Sequence, residues 1–216
     1  MKISICTPSI RPKGLEVLQK CLKEQTWQDF EWLVEIGIPE KGHDINAAYN
    51  RMIRRAKGEI FLSLQDYTMI PPDFLEQIVA HYKDDTFTTI PLGKVKTLTD
   101  FTFDDTSAVV WDWRKERTEG VNWNEWEIDA GFCPLIALKD VGGFDEELDK
   151  YWSFDNVSVG YRANMIGYKF DLLSTTQAVA YDHDADIPHP FRSAWNPHFW
   201  AKREAMYQID HKLHYL

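Results

Sequence analysis

A cluster of histidines and aspartates near the end of the sequence has the side-chain types of a metal site. His183 and His189 lie among Asp182, Asp184 and Asp186 in the run YDHDADIPHPFR, and imidazole and carboxylate groups are common ligands of divalent ions. Adjacent residues of an extended chain point to opposite sides, so these side chains cannot all reach one ion. We expect most of the carboxylates to be solvated, and we keep His183 as a candidate ligand with His189 as its substitute.

Three apolar runs in the first third of the chain are each followed by polar residues. The three ends are Thr7-Pro8-Ser9, Glu35-Ile36-Gly37 and Gln65-Asp66-Tyr67. We interpret the runs as β-strands because they are short, apolar and bounded by turn residues. In parallel α/β sheets, ligands bind beyond the carboxyl ends of the strands. The polar residues therefore predict a ligand site at one edge of a sheet.

Helical patterns alternate with these strands. Leucines recur at helical spacing over GLEVLQKCLKEQ, and DINAAYNRMIRRAK follows the second strand, with Asp44 able to cap its start and Gly58 to end it. A third helix is predicted over PDFLEQIVAHY. The alternation with short links predicts an α/β fold, a Rossmann-like three-layer α/β/α arrangement with a mostly parallel central sheet.

The second half of the chain has a less regular pattern. Residues Thr86 to Glu127 are strand-like and contain four tryptophans among charged and polar residues. A helix is predicted over roughly Asn156 to Ile166, ending at Gly167, and residues 199–216 have the composition of an amphipathic surface helix. Because no linker divides the chain, we expect one domain over residues 1–216.

The composition excludes several classes of protein. The 216 residues include 34 Asp and Glu against 24 Lys and Arg, a formal charge of −10, which argues against nucleic acid as a partner. No apolar run approaches the roughly 18 residues of a membrane span, and the N-terminus does not resemble a signal peptide. Cys6, Cys21 and Cys133 are an odd number without CxxC spacing, which predicts reduced thiols and a cytoplasmic location.

Four segments, taken together and in their order along the chain, are specific for one protein family. They are ISICTPSIRPKGLEVLQKCLKEQTWQDFEWLV, NAAYNRMIRRAKGEIFLSLQDYTMIPPDFLEQI, GFCPLIALKDVGGFDEEL and FDNVSVGYRANMIGYKF. In this order they resemble the family-2 nucleotide-sugar glycosyltransferases of GT-A fold, over about Ile3 to Arg192. The resemblance divides the domain into a nucleotide-binding half, residues 1–90, and an acceptor and catalytic half, residues 91–216.

The resemblance implies that a sugar, a hexose in the usual case, moves from a nucleoside diphosphate donor to an acceptor hydroxyl with inversion. The favoured donor is a UDP-sugar and the favoured acceptor is a carbohydrate. Such chemistry must neutralise the departing diphosphate and remove the proton of the attacking hydroxyl. Mn²⁺ or Mg²⁺ held by carboxylates meets the first need, and a positioned carboxylate meets the second.

The sequence departs from the family at both of these points. The family's Asp-x-Asp metal motif falls on Gln65-Asp66-Tyr67, and its Glu-Asp pair falls on Asp155-Asn156. An amide cannot accept a proton at neutral pH. The resemblance then assigns the metal to Asp66 and His183 and the base to Asp155. The alternative is that Asp66 simply ends a strand and that Asp155 caps the following helix.

The resemblance also implies a nucleotide site over the first strand ends. Thr7 and Ser9 would hydrogen-bond the base or ribose, and Glu35 stands where the family usually keeps an aspartate. Arg11 would face the diphosphate. The further residues of this predicted site are Asn50, Gln65 and Asp66. For Thr7 an ordinary turn, and for Asn50 an ordinary polar helix position, are the alternatives.

Trp111, Trp113, Trp123 and Trp126 fall where the family places acceptor-binding elements. Aromatic faces stack on sugar rings, although core packing is the usual role of a single tryptophan. A protein of this fold that binds a nucleotide or glycan without catalysis is the main alternative function. A metal-dependent hydrolase built on the His/Asp run ranks last, because no nucleophile motif accompanies it.

Overall fold

The computed structural model describes residues 1–10, 12–37, 44–96, 101–118, 120–150, 155–181 and 197–216, with the backbone alone at Pro12, Lys150, Asp155 and residues 197–200. The strands are β1 (Ile3–Ser9), β2 (Phe30–Ile36), β3 (Ile60–Leu64), β4 (Thr68–Met69), β5 (Thr86–Thr89), β6 (Leu92–Val95), β7 (Val110–Trp111), β8 (Ala130–Pro134), β9 (Lys169–Leu172) and β10 (Ala178–Tyr181). The helices are α1 (Pro12–Lys23), α2 (Ile45–Arg55), α3 (Phe74–His81), α4 (Leu135–Asp140), α5 (Asp155–Met165) and α6 (Pro197–Ile209).

A six-stranded sheet in the order β2-β1-β3-β8-β5-β9 forms the centre of the molecule. β1 is parallel to β2 and β3, and β5 is parallel to β9, which confirms the prediction of a mostly parallel sheet. β8 runs antiparallel to both of its neighbours, β3 and β5. Ala130, the first residue of β8, therefore pairs with Leu64 at the carboxyl end of β3. The residues just before β8 lie at the edge where the parallel strands end.

Helices cover both faces of this sheet, as the three-layer prediction requires. Leu18 and Leu22 of α1 pack with Phe74 and Ile78 of α3 on one face. The other face buries Met52 of α2 together with residues of α4 and α5. Burying each of these apolar side chains contributes roughly 1.5–3 kcal/mol relative to its exposure. The two apolar layers pack against opposite faces of the sheet and fix the positions of its strand ends.

A second, four-stranded sheet in the order β4-β10-β6-β7 lies in the less regular part of the chain. β10 is antiparallel to β4, and the backbone N–H of Tyr181 donates to the carbonyl of Tyr67 at 3.2 Å. This sheet brings the end of β10 beside the end of β3. His183 and His189 follow Tyr181 in the chain and lie outside the described residues.

The N-terminal cap of α2 differs from the prediction. Asp44 makes no side-chain capping bond; its carboxylate instead accepts from Arg51 at 3.0 Å. Asp149 takes the capping role, since its two oxygens accept from the backbone N–H groups of Asn46 at 2.8 Å and Ala47 at 3.1 Å. The local pattern identified the helix, but a distant carboxylate satisfies its free N–H groups.

Two other predicted helix features also differ. α2 ends at Arg55 and not at Gly58. Gly58 meets another requirement, because a Cβ there would lie 2.7 Å from the carbonyl oxygen of Lys2. The C-terminal helix α6 is more than a surface helix, since Tyr207 is fully buried and Arg203 donates to Asp145 at 2.7 Å. Within the described residues, no helix combines the length and apolar character needed to cross a bilayer.

Candidate functional site

Ser9 and Asp66 meet at the carboxyl ends of two neighbouring strands. The Ser9 hydroxyl donates to Oδ2 of Asp66 at 2.7 Å, and both residues are buried. The contact follows from the parallel pairing of β1 with β3, which brings the two strand ends to the same edge. Two residues that the sequence placed in one site are therefore adjacent in the fold.

Close packing against α1 fixes the backbone at Asp66. A Cβ at Gly14 would lie 2.5 Å from the carbonyl oxygen of Asp66 and 3.3 Å from the hydroxyl of Tyr181. Only a residue without a side chain allows α1 to approach this strand end so closely. The position of Asp66 thus depends on strand pairing and on Gly14.

Thr7 and Glu35 also stand at this edge, and both have partners within the protein. The Thr7 hydroxyl accepts from Nε1 of Trp32 at 3.0 Å. The Glu35 carboxylate accepts from Arg51 at 2.8 Å and from Arg55 at 2.5 Å. The two arginines neutralise the charge of the Glu35 carboxylate, so this strand end is less negative than its sequence implies.

Asn50 holds the turn that follows α4. Its amide nitrogen donates to the carbonyl of Phe144 at 2.9 Å, and its oxygen accepts from the N–H of Phe144 at 2.8 Å. The amide nitrogen also donates to Glu146 at 2.9 Å. The geometry gives Asn50 a structural role, and its nucleotide contact stays a prediction.

Gln65 and Asp66 contact different neighbours. The Gln65 amide donates to the hydroxyl of Tyr49 on α2 at 3.4 Å, whereas Asp66 accepts from Ser9. Arg11 and His183 lie outside the described residues, as does the side chain of Asp155, which is the first residue of α5. Their assigned roles stay predictions.

The residues present suit a metal ion only in part. The described part of the chain contains no group of three or more His, Cys, Asp or Glu side chains arranged around one point. Asp66 offers a buried carboxylate, which is the oxygen ligand that Mg²⁺ and Mn²⁺ prefer. Phosphate oxygens of a donor and a side chain such as His183 would have to complete the coordination shell.

A carboxylate that sequence reasoning missed lies at the start of α5. The Asn156 amide nitrogen donates to the carbonyl of Trp126 at 2.7 Å and to Oε2 of Glu127 at 3.2 Å. The resemblance in sequence aligns Asn156 with a carboxylate, and this correspondence stays a prediction. Glu127 is 29 residues away in the chain, so no local spacing pattern pointed to this pair.

A cavity of about 470 Å³ opens beside this edge. Tyr67 and Tyr181 line it together with Asp129, Lys94 and Lys96. Burial raises the pKa of the Asp129 carboxyl, although the positive charges of Arg114 and Lys94 act in the opposite direction. Sequence reasoning missed Asp129 too, because only the antiparallel course of β8 brings it to the strand ends.

Comparison of the sequence alone finds no matching family model and no matching curated protein. Solved structures do match. S. aureus TarS in complex with UDP aligns at a TM-score of 0.58 and 19% identity, over 84% of this chain and 60% of that one. GalNAc-T7 with UDP, GalNAc and Mn²⁺ aligns at a TM-score of 0.56 and 13% identity, over 86% of this chain and 44% of that one.

The chain has the GT-A fold. A further TarS structure, in complex with UDP-GlcNAc, aligns over 91% of this chain at 18% identity and a TM-score of 0.58, and 62% of that structure is covered. The chain therefore spans less than two thirds of each of these three structures. At such identities the likeness establishes the fold, and this is the fold that the resemblance predicted.

The four tryptophans of this GT-A chain have separate environments. Trp126 is fully buried and its Nε1 donates to the carbonyl of Thr88 at 3.2 Å, so it is a core residue. Trp123 packs edge-on against Tyr161. Trp113 is exposed, whereas Trp111 and Trp123 are half-buried. Trp111 and Trp113 lie under Lys115 and Arg117 respectively. Acceptor stacking stays a prediction for Trp111, Trp113 and Trp123.

Proposed function

We propose that this chain transfers a sugar from a nucleoside diphosphate donor to an acceptor hydroxyl. The observation that carries the proposal is the GT-A fold with Ser9 and Asp66 joined at the ends of β1 and β3. The TarS structures were solved with UDP and UDP-GlcNAc, which supports a UDP-sugar as donor. We expect the transferred group to be a hexosyl group.

The donor would lie over the ends of β1, β2 and β3. Thr7, Ser9 and Glu35 face this edge, and Arg11 follows β1 in the chain. Hydroxyl groups and backbone amides at strand ends bind nucleotide oxygens in α/β proteins. The role proposed for Arg11 is to offset the diphosphate charge.

Asp66 and His183 are the proposed ligands of a divalent cation. The cation, Mn²⁺ or Mg²⁺, would stabilise the negative charge that develops on the leaving diphosphate. Support comes from the buried Asp66 carboxylate and from the Mn²⁺ in the GalNAc-T7 structure.

The proposed reaction is a single displacement with inversion. The acceptor oxygen forms a bond to the anomeric carbon while the bond from that carbon to the diphosphate oxygen breaks, and the acceptor's proton passes to a carboxylate. Asp155 is the first candidate for this carboxylate by chain position, since it begins α5.

The cavity beside Tyr67 and Tyr181 is the proposed acceptor site. Its aromatic rings offer faces for a sugar ring, and the Asp129 carboxyl can hydrogen-bond hydroxyl groups. Such a mixture of ring faces and few polar groups suits a carbohydrate acceptor.

Calorimetric titration with UDP- and GDP-sugars, with and without Mn²⁺, tests the proposed function, followed by assay of transfer and donor hydrolysis. We expect binding of one donor class and measurable turnover. Absence of binding to every common donor contradicts the proposal. Binding without turnover favours the non-catalytic alternative, for which the residues Gln65, Tyr67 and Asn156 argue.

A further inference from the structure

The start of α5 pairs an amide with a carboxylate that comes from another part of the chain. Asn156 stands on the first turn of α5, and its amide nitrogen lies 3.2 Å from Oε2 of Glu127. The amide has no site that accepts a proton at neutral pH, whereas the carboxylate has two oxygens that do. The base that the chemistry needs is thus absent from position 156 and present beside it.

The backbone around Glu127 is fixed at the edge where β3 ends. The Ser63 hydroxyl donates to the carbonyl of Ile128, and the N–H of Glu127 donates to the Thr89 hydroxyl at 3.4 Å. A Cβ at Gly131 would lie 2.2 Å from the carbonyl oxygen of Glu127, so the chain can turn into β8 only with glycine there. Contacts to two strands and this glycine hold Glu127 at the same edge as Asp66.

The start of α5 orients this carboxylate through a side-chain hydrogen bond. The Asn156 amide donates a direct hydrogen bond to Oε2, and a second bond to the Trp126 carbonyl holds the amide in this orientation. The Glu127 carboxylate is thus held in a defined orientation at the start of α5.

We propose that Glu127 takes the proton of the acceptor hydroxyl and that Asn156 positions it; the inference rests on the proposed function. As the acceptor oxygen bonds to the anomeric carbon and the diphosphate leaves with the electron pair, the hydroxyl proton moves to Glu127. The resulting carboxylic acid returns the proton to water after product release. A carboxylate from the loop before β8 thereby takes the place of the one that is absent at position 156.

Glu127→Gln tests this inference, because it keeps the size of the side chain and its bond from Asn156 through the amide oxygen. Once a donor that the wild-type chain turns over is known, we expect kcat to fall about 10²- to 10⁴-fold, with the donor Kd unchanged by calorimetry. Glu116→Gln, an exposed glutamate on the short helical turn at residues 113–116, is the matched control, and its kcat should equal that of the wild type.

Four further variants keep the test decisive. Glu127→Asp retains a carboxylate and should keep more activity than Glu127→Gln, and added formate should partly restore Glu127→Ala. Asn156→Ala should lower kcat by a smaller factor and leave the donor Kd unchanged, as a positioning residue would. Asp155→Asn should lower kcat less than Glu127→Gln does.

Each outcome separates the two proposals. Full activity of Glu127→Gln beside a strongly impaired Asp155→Asn overturns the inference and keeps the proposed function. Loss of donor binding in Glu127→Gln also overturns it, since that residue would then be structural. A wild-type chain that turns over no donor overturns the proposed function, and the inference about Glu127 falls with it.

Discussion

Asp66 is the carboxylate that lies between Gln65 and Tyr67 at the end of β3. It is buried, it accepts from Ser9 at 2.7 Å, and its backbone is held by the close approach of Gly14. A single carboxylate binds Mg²⁺ or Mn²⁺ weakly unless phosphate oxygens complete the shell. We therefore expect metal and donor to bind together, each raising the affinity of the other.

Asp66→Asn should remove most of this coupling. The amide keeps the shape of the side chain and its bond from Ser9 but lacks the charge that attracts the cation. We expect the gain in UDP affinity on adding Mn²⁺ to fall by at least about tenfold, as measured by calorimetry. Asp73→Asn, an exposed aspartate before α3, is the control, and an unchanged Mn²⁺ effect in Asp66→Asn would refute the assignment.

Among the secondary-structure elements, α2 shows how a distant residue completes a locally encoded helix. Its sequence pattern predicts the helix, while its first N–H groups bond to Asp149, which is 103 residues from Asn46 in the chain. Burial, with a smaller contribution from the charge of Asp44, raises the pKa of the Asp149 carboxyl to about 6 despite these bonds. The helix start is therefore sensitive to pH.

The sign of this pH effect follows from the raised pKa. The folded chain binds the Asp149 proton more tightly than the unfolded chain, so the contribution to stability is complete below about pH 3.8 and is lost as pH rises through about 6. Two pKa units correspond to at most ~3 kcal/mol, which partial solvent screening reduces.

Asp149→Asn removes this titration, and urea unfolding at several pH values measures the difference. Relative to the variant, the wild type should lose up to about 2 kcal/mol of unfolding free energy between pH 4 and pH 7. Asp44→Asn, which is close to the same helix start but makes no capping bond, should keep most of the wild-type slope. Parallel curves for wild type and Asp149→Asn would show that the group does not titrate as described.

For the molecule as a whole, the C-terminal segment closes the fold around the turn after α4. Arg203 and Tyr207 of α6 both donate to the fully buried carboxylate of Asp145. The N–H of Leu213 donates to the carbonyl of Val141 at 3.0 Å. Removing the arginine alone would strand a buried charge, which costs about 3–5 kcal/mol in comparable pairs. The last twenty residues are therefore part of the domain.

Two glycines with positive φ allow the contribution of the C-terminal segment to stability to be measured. Gly142 has φ +73°, and a Cβ there would lie 1.6 Å from the carbonyl oxygen of Leu213. Gly167 has φ +94°, but a Cβ there meets no atom within 4 Å. Both alanine variants bear the backbone strain of about 1–3 kcal/mol, and only Gly142→Ala also displaces the C-terminal segment.

Gly142→Ala should therefore unfold at lower denaturant concentration than Gly167→Ala, with a difference of at least about 1 kcal/mol. Proteolysis near the C-terminus should accelerate in Gly142→Ala alone. Equal losses in the two variants would mean that the contact with Leu213 contributes little to stability.

The sequence by itself determined the layers, the strand ends and the position of Asp66, because hydrophobic periodicity and turn residues act over a few residues. Only the resemblance to the family-2 glycosyltransferases, and not the residues by themselves, predicted carboxylates at the positions of Gln65 and Asn156. Only the tertiary structure placed Glu127 beside Asn156 and Asp149 under α2. Those contacts join residues 29 and 103 positions apart, and they depend on the antiparallel course of β8 and the packing of the turn after α4, which no local pattern encodes.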